Sequence, residues 1–193
     1  MRVGMETNLK VPASREELRE LRAGDYVYLT GTIYTARDAA HQRLYESLTR
    51  GEDIPLPLDG TILYYLGPTP AREGQVIGSA GPTTSGRMDK YTPLLLKKGL
   101  SGMIGKGKRT EEVRKAIMEQ GAVYFAAVGG AGALLSKCIR ESEVIAYPDL
   151  GTEAIRRLRV EKLPVIVIMD SRGNNLYETA VHSYLEKYAV RED

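Results

Sequence analysis

The sequence holds a single cysteine, Cys138, and two histidines, His41 and His182, among 193 residues. One thiol excludes an internal disulfide framework and any cysteine-ligated cluster built from this chain alone. With the histidines so far apart, no metal-ligand spacing is recognisable, and no metal is expected on this chain. No apolar run approaches the eighteen or so residues of a membrane span. The N-terminus, MRVGMETNLKVPAS, has no apolar signal core, so a cytoplasmic location is the expectation. Runs of five or six like charges are missing, and the net charge is only +2. Neither a nucleic-acid surface nor a membrane surface follows from such a balance. Internal repeats, low-complexity tracts and a convincing linker are absent too.

What is present is 42% hydrophobic and 27% charged residues, the balance of an ordinary globular protein. The length suits one domain, residues 1–193, with ample core. Ser14 followed by Glu17 is a capping-box pattern that opens a short helix. DYVYLTGTIYTA, residues 25–36, is rich in β-branched and aromatic residues and predicts a strand. RDAAHQRLYESLTR follows with the helical spacing of Ala40, Leu44 and Leu48.

TILYYLGP and QVIGSAGP predict two strands joined by the turn TPAREG. A helix is expected over Met88 to Lys98, with Pro93 early in it or breaking it. LSGMIGKG and AVYFAAVGG predict strands. Between them TEEVRKAIMEQG predicts a helix with Thr110 capping its start and Gly121 its end. AGALLSKCI reads as a short helix, EVIAYP and PVIVIMD as strands, SRGNN as a turn, and YETAVHSYLEKYA as a closing helix. This alternation argues an α/β layered domain with a mixed sheet.

Three strand-to-helix junctions share a composition: TGTIYTARDAAH with Arg37, GPTTSGRMD with Arg87, and GKGKRT with Lys106 between two glycines. Ligands of α/β folds bind beyond the carboxyl ends of strands. There, free backbone N–H groups favour anions and a cation adds charge-assisted hydrogen bonds. Two arginines and a lysine at such places suit a ligand with two carboxylates, since a guanidinium can grip a carboxylate with two parallel bonds. The plainer alternative leaves each cation solvated or paired on the surface.

Other motifs fail on the same loops. LSGMIGKG lacks the first glycine of a P-loop, where Leu100 stands, and Gly107 replaces its Ser or Thr. VGGAGALL carries Leu135 where a dinucleotide fingerprint needs its third glycine. Ser85, His41 and Asp89 have no nucleophile elbow around the serine. His182 reads as a surface residue, and Cys138 as a small buried apolar group.

TGTIYTARDAAH, GPTTSGRMDKY and GMIGKGKRT, in this order and spacing, resemble the β subunit of the iron–sulfur hydro-lyases. These are the class I fumarate hydratases and the L-tartrate dehydratases. GTEAIRRLRVEKLPVIVIMDSRGNN is similar to the family's C-terminal part. SGRMD followed by GKGKR looks more like fumarase, because tartrate enzymes tend to carry a bulkier residue where Gly86 stands.

The resemblance implies a swivelling β/β/α domain with a mixed central sheet and flanking helices, working against a larger fumarase α subunit. It also implies a [4Fe–4S] cluster held by three cysteines of that partner, with one iron open to substrate, and an α₂β₂ heterotetramer. The implied reaction is reversible hydration of fumarate to S-malate. Arg37, Arg87 and Lys106 would bind the dicarboxylate and stabilise the charge that develops when the C3 proton leaves. Thr83 matches a threonine discussed in this family as a base at C3. A hydroxyl is a poor base near neutral pH unless activated, so an orienting role stands beside that one. Asp38 and His41 are expected behind Arg37, in support of it or in cap and packing roles. Thr84 and Ser85 are expected behind the substrate-binding residues, in support of them, or as caps of the next helix. A non-catalytic anion-binding module is the reading from a different class.

Overall fold

The computed structural model describes residues 5–127 and 132–180. The strands are β1 (Glu6–Val11), β2 (Tyr26–Thr35), β3 (Ile62–Tyr64), β4 (Gly102–Gly105), β5 (Val123–Ala127), β6 (Ile139–Ala146) and β7 (Ile155–Met169). The helices are α1 (Arg15–Glu20), α2 (Asp38–Thr49), α3 (Thr92–Lys97), α4 (Glu111–Gln120) and α5 (Gly132–Ser136). One mixed sheet takes the order β1-β2-β3-β4-β5-β7-β6. Strands β1 to β5 run parallel to one another, whereas β7 is antiparallel to β2, β5 and β6. Because β7 also pairs with β2, strands β2, β3, β4, β5 and β7 close into a five-stranded barrel. The α/β class and the mixed sheet with flanking helices are those the sequence suggests.

Side chains alternate across a strand, and here each face has its own core. Ile62, Tyr64, Ile104, Val123, Phe125, Val165 and Val167 fill the barrel. Leu63, Tyr65, Met103 and Tyr124 point outward, where they meet Ala40 and Leu44 of α2, Leu95 and Leu96 of α3, and Val113 and Ile117 of α4. The short middle strands β3 and β4 are therefore buried on both faces.

Local signals explain most element ends. Ser14 accepts from Glu17 N at 3.2 Å while Glu17 accepts from Ser14 N at 2.8 Å, the reciprocal cap expected. Gly121 ends α4 in the left-handed region at φ 65°. Pro93 lies in the first turn of α3, where its missing N–H costs nothing.

Three expectations are corrected. QVIGSAGP is irregular and joins the sheet only through a bridge between Pro82 and Leu66, so no hairpin forms there. The helix expected from Met88 starts at Thr92, after a single 3₁₀ turn over Ser85–Met88. Thr110 makes no side-chain cap; its own N–H is instead satisfied by Asp89 Oδ2 at 2.7 Å. Two strand segments went unread: β1 entirely, and the first half of β7. His182, and part of the VGGAGALL turn, lie outside the described residues.

Candidate active site

The register sets the geometry. Thr35, Tyr64 and Ile104 are side by side in parallel strands. Arg37 and Lys106 each come two residues later, at the same level, with one strand between them and thus about 10 Å between their backbones. Leu66 fills the place between and bridges to Pro82, which brings in the loop carrying Thr83 and Arg87. That loop is then fixed in three places. Thr83 N–H donates to Tyr65 O at 2.7 Å, Ser85 N–H to Lys106 O at 2.9 Å, and Lys106 N–H to Ser85 Oγ at 3.1 Å. The three cation-bearing junctions are brought together at the carboxyl end of the parallel strands.

Arg37 and Arg87 are linked by a carboxylate. Asp38 Oδ2 takes Arg87 Nη2 at 2.5 Å and Arg37 Nε at 3.2 Å. Burial raises the Asp38 pKa, but hydrogen bonds from Arg87 and Arg37 outweigh it and hold the carboxyl below its ordinary value. The same bond raises Arg87. Arg87 is 49% exposed. Lys106 is exposed too, and no described carboxylate lies within ion-pair distance of its ammonium. The cations stand on an open face. A cavity of about 450 Å³ beside it is lined by residues such as Pro68, Pro70, Ile77, Thr152 and Arg156, and none of the three cations lines it.

Thr83 is half-buried and Thr84 exposed, and neither caps the following turn through its side chain. No described group hydrogen-bonds the Thr83 hydroxyl, so nothing described on this chain activates it as a base. Ser85 is fully buried. Its Oγ accepts from Lys106 N–H and pairs with Tyr124 OH at 2.9 Å, while Tyr124 OH donates to Gly107 O at 2.9 Å. Ser85 therefore anchors the loop from below, behind Lys106, and makes no helix cap.

The glycines that the site needs are not those of GPTTSG. A Cβ on Gly86 would come no nearer than 3.7 Å to Lys108 O, an ordinary contact. On Gly105 it would sit 1.9 Å from Ser85 Oγ, so only glycine lets Ser85 dock there.

His41 is completely buried, edge-on to Tyr65 at 5.0 Å. Its Nδ1 is 3.1 Å from the Arg37 carbonyl, which must accept from Nδ1–H, and Nε2 has no partner among the described residues. Burial pushes the His41 pKa down to about 4. His41 thus supports the Arg37 corner as a neutral ring. The unfolded chain binds its proton near pH 6.5 and the folded chain only near 4, so stability falls as pH drops through that window. The fall should be roughly 3 kcal/mol, and His41→Phe should remove about one proton from the slope. Urea denaturation across pH 4–7 measures both; an unaltered slope in the variant would refute the assignment.

Sequence reasoning missed two groups. Arg109, in GKGKRT, has a side chain with no exposure and donates to Asp89 Oδ1 at 2.6 Å and Thr92 Oγ1 at 2.9 Å. Glu153 lies 3.4 Å from Arg37 Nε. Ser85, His41 and Asp89 form no hydrolase triad with one another, since each has other partners. Nor do the residues fit a metal cluster. Cys138 packs against the barrel core, and no group of three or more His, Cys, Asp or Glu converges among the described residues.

Residues 2–180 match the profile of the family described as fumarase C-terminus. The chain belongs to the fumarase C-terminus family. This fumarase C-terminus chain is 37% identical over 177 residues to fumarate hydratase 2 of Leishmania major, covering 90% of the chain and 31% of that relative. It is 38% identical over 184 residues to a putative class I fumarate hydratase of Geobacillus stearothermophilus, covering 93% of the chain and 35% of the relative. It is also 38% identical over 180 residues to a putative L(+)-tartrate dehydratase subunit beta of Methanocaldococcus jannaschii, covering 90% and 92%. The chain thus spans about a third of those fumarate hydratases and nearly all of the tartrate dehydratase subunit. No helix among the described residues is long and apolar enough to cross a membrane.

Proposed function

We propose that this chain is the β subunit of a two-subunit class I fumarate hydratase acting in the cytoplasm, paired with an α subunit as an α₂β₂ heterotetramer. The observation that carries the reading is the register alignment of Arg37 and Lys106, with Arg87 on the loop docked between them, on an open face. A dicarboxylate matches that spacing of charge. An open face in water gives weak electrostatics, and a second chain closing over it strengthens every charge pair inside. An interface of roughly 1,500 Å² or more is normal for such a partner.

In the reaction, water adds across the double bond of fumarate to give S-malate. In the reverse direction the C3 proton leaves and charge spreads into the neighbouring carboxylate. Arg37 and Arg87 hold the carboxylates through paired N–H bonds, and Lys106 places a third positive charge where that negative charge grows. Thr83 touches the substrate and orients it. The base comes from the companion chain, because the Thr83 hydroxyl has no activating partner here. A [4Fe–4S] cluster, where the enzyme carries one, belongs to the companion chain, as Cys138 is this chain's one thiol.

The second reading, the β subunit of a tartrate or related hydroxy-diacid dehydratase, is favoured by the near-complete coverage of the Methanocaldococcus jannaschii subunit. The room around Gly86 keeps the two readings open on this chain's sterics. Co-expression with a companion chain bearing three separated cysteines, followed by anaerobic cluster reconstitution, separates them. Fumarate absorbance appearing from malate supports the first reading. Turnover of tartrate alone moves the assignment to the second, and an assembled, cluster-loaded complex inert to both leaves the anion-binding module.

A further inference from the structure

We infer that Glu153 is a positioning residue for the Arg37 guanidinium, an inference that rests on the dicarboxylate reading above. Arg37 occupies the N-cap position of α2 but makes no cap hydrogen bond with its own side chain. Glu153 does that work from a kinked 3₁₀ segment, Pro148–Glu153, 114 residues beyond Ala39 in sequence. Its Oε2 accepts from Ala39 N–H at 2.8 Å and its Oε1 lies 3.4 Å from Arg37 Nε. One carboxylate thus holds both the first turn of α2 and the side chain that leaves from it.

The segment is itself braced against α2. Arg43 donates from Nη1 and Nη2 to Asp149 at 3.0 and 2.5 Å, and its guanidinium lies 5.1 Å from the Tyr147 ring centroid. Just beyond Glu153, Arg156 N–H donates to Thr35 Oγ1 at 3.0 Å, which ties the start of β7 to the end of β2. Glu153 therefore leaves a segment fixed on both sides of it.

This arrangement decides which part of Arg37 is presented. Nε is taken by Asp38 and Glu153. The shaft lies over Gly67, where a Cβ would come within 2.8 Å of Arg37 Cδ and Nη1. Neither Nη1 nor Nη2 has an acceptor among the described residues. The end held fast is Nε, and the end left over is the two-nitrogen edge that forks onto a carboxylate. Without Glu153, Arg37 keeps its charge but loses part of its fixed orientation, and ligand affinity drops before chemistry does.

The test uses the assembled two-chain enzyme with malate, or tartrate if that is its substrate. Glu153→Gln keeps an oxygen for Ala39 N–H while removing the charge on Arg37 Nε. It should raise KM about tenfold and change kcat less than about twofold. Arg37→Met should raise KM at least as much, and adding Glu153→Gln to it should change KM less than about twofold further. A merely structural Glu153 would act equally in both backgrounds, even where the variant lowers the melting temperature. If Arg37→Met leaves KM unchanged, the dicarboxylate reading falls and takes this inference with it. If Arg37→Met raises KM but Glu153→Gln does not, or the two effects multiply, the inference alone is overturned.

Discussion

Replacing Asp89 by alanine should destabilise the chain by about 3–5 kcal/mol, because it leaves the Arg109 guanidinium charged and unpaired in the interior. Arg109 has no exposed side-chain surface and Asp89 only 6%, so solvent screening relieves little of that cost. Burial opposes the Arg109 charge, but Tyr65, Asp89 and Tyr124 more than offset it and keep the group protonated. Its guanidinium lies 4.9 Å from the Tyr124 ring centroid and 5.4 Å from that of Tyr65, which adds cation–π attraction. Asp89 also takes Thr110 N–H, so its loss frees a donor at the start of α4. Thermal melting should register a fall of about 10 °C. The double variant Asp89→Leu, Arg109→Met should recover much of the loss, since an apolar pair of similar size needs no compensation. A single variant that melts within about a degree of the parent would show that the pair does not carry this load.

That ion pair also shows where a sequence stops being readable. Asp89 stands beside Arg87 in GPTTSGRMD, and Arg109 stands beside Lys106 in GKGKRT; both motifs drew notice for the cations that face outward. Nothing in the spacing says that Asp89 and Arg109, 20 residues apart, meet in the interior, because that pairing depends on the bridge between Thr84 and Lys106 that docks one loop on the other. Glu153 was invisible for the same reason at longer range. The cations were legible because glycine-rich junctions after strands mark one end of a parallel sheet, and β2 and β4 do end there.

The strands divide likewise. DYVYLTGTIYTA reads as a strand because β2 is flanked on both edges and packed into the barrel. β1 hides in ETNLKV because only one face of an outer strand is buried, leaving few apolar residues. In β7, IRRLRVEKL alternates apolar residues facing the barrel with charges that pair across to β6, as Arg157 does with Glu143 and Arg159 with Glu141. Those charges masked the alternation. QVIGSAGP failed in the opposite direction: Val76 and Ile77 suggest a strand, yet Gly78 is packed so tightly against Thr69 and Pro70 that the segment folds onto its own loop.

Substituting Arg87 by methionine should lower kcat/KM of the proposed two-chain enzyme by about a hundred- to a thousandfold, the usual cost of removing one fixed donor to developing negative charge. Folding should hardly respond. Arg87 is 49% exposed and its one ion pair among the described residues, to Asp38, sits at a surface where such pairs add about 1 kcal/mol or less. Ser85 and Asp89 anchor the loop on either side, so its course does not depend on Arg87. Arg87→Lys keeps the charge without the planar fork and should recover only part of the rate. Asp38 holds Arg87 through Nη2, and the other N–H groups of the guanidinium have no partner among the described residues and stay available to a ligand. A lysine held by Asp38 would have no second nitrogen to offer. Measured together, melting temperature and kcat/KM separate the two roles of the motif: Asp89 variants should lose stability first, and Arg87 variants turnover alone. Malate turnover undiminished in Arg87→Met would remove this guanidinium from the substrate, and with it the reason for placing a second chain over this face.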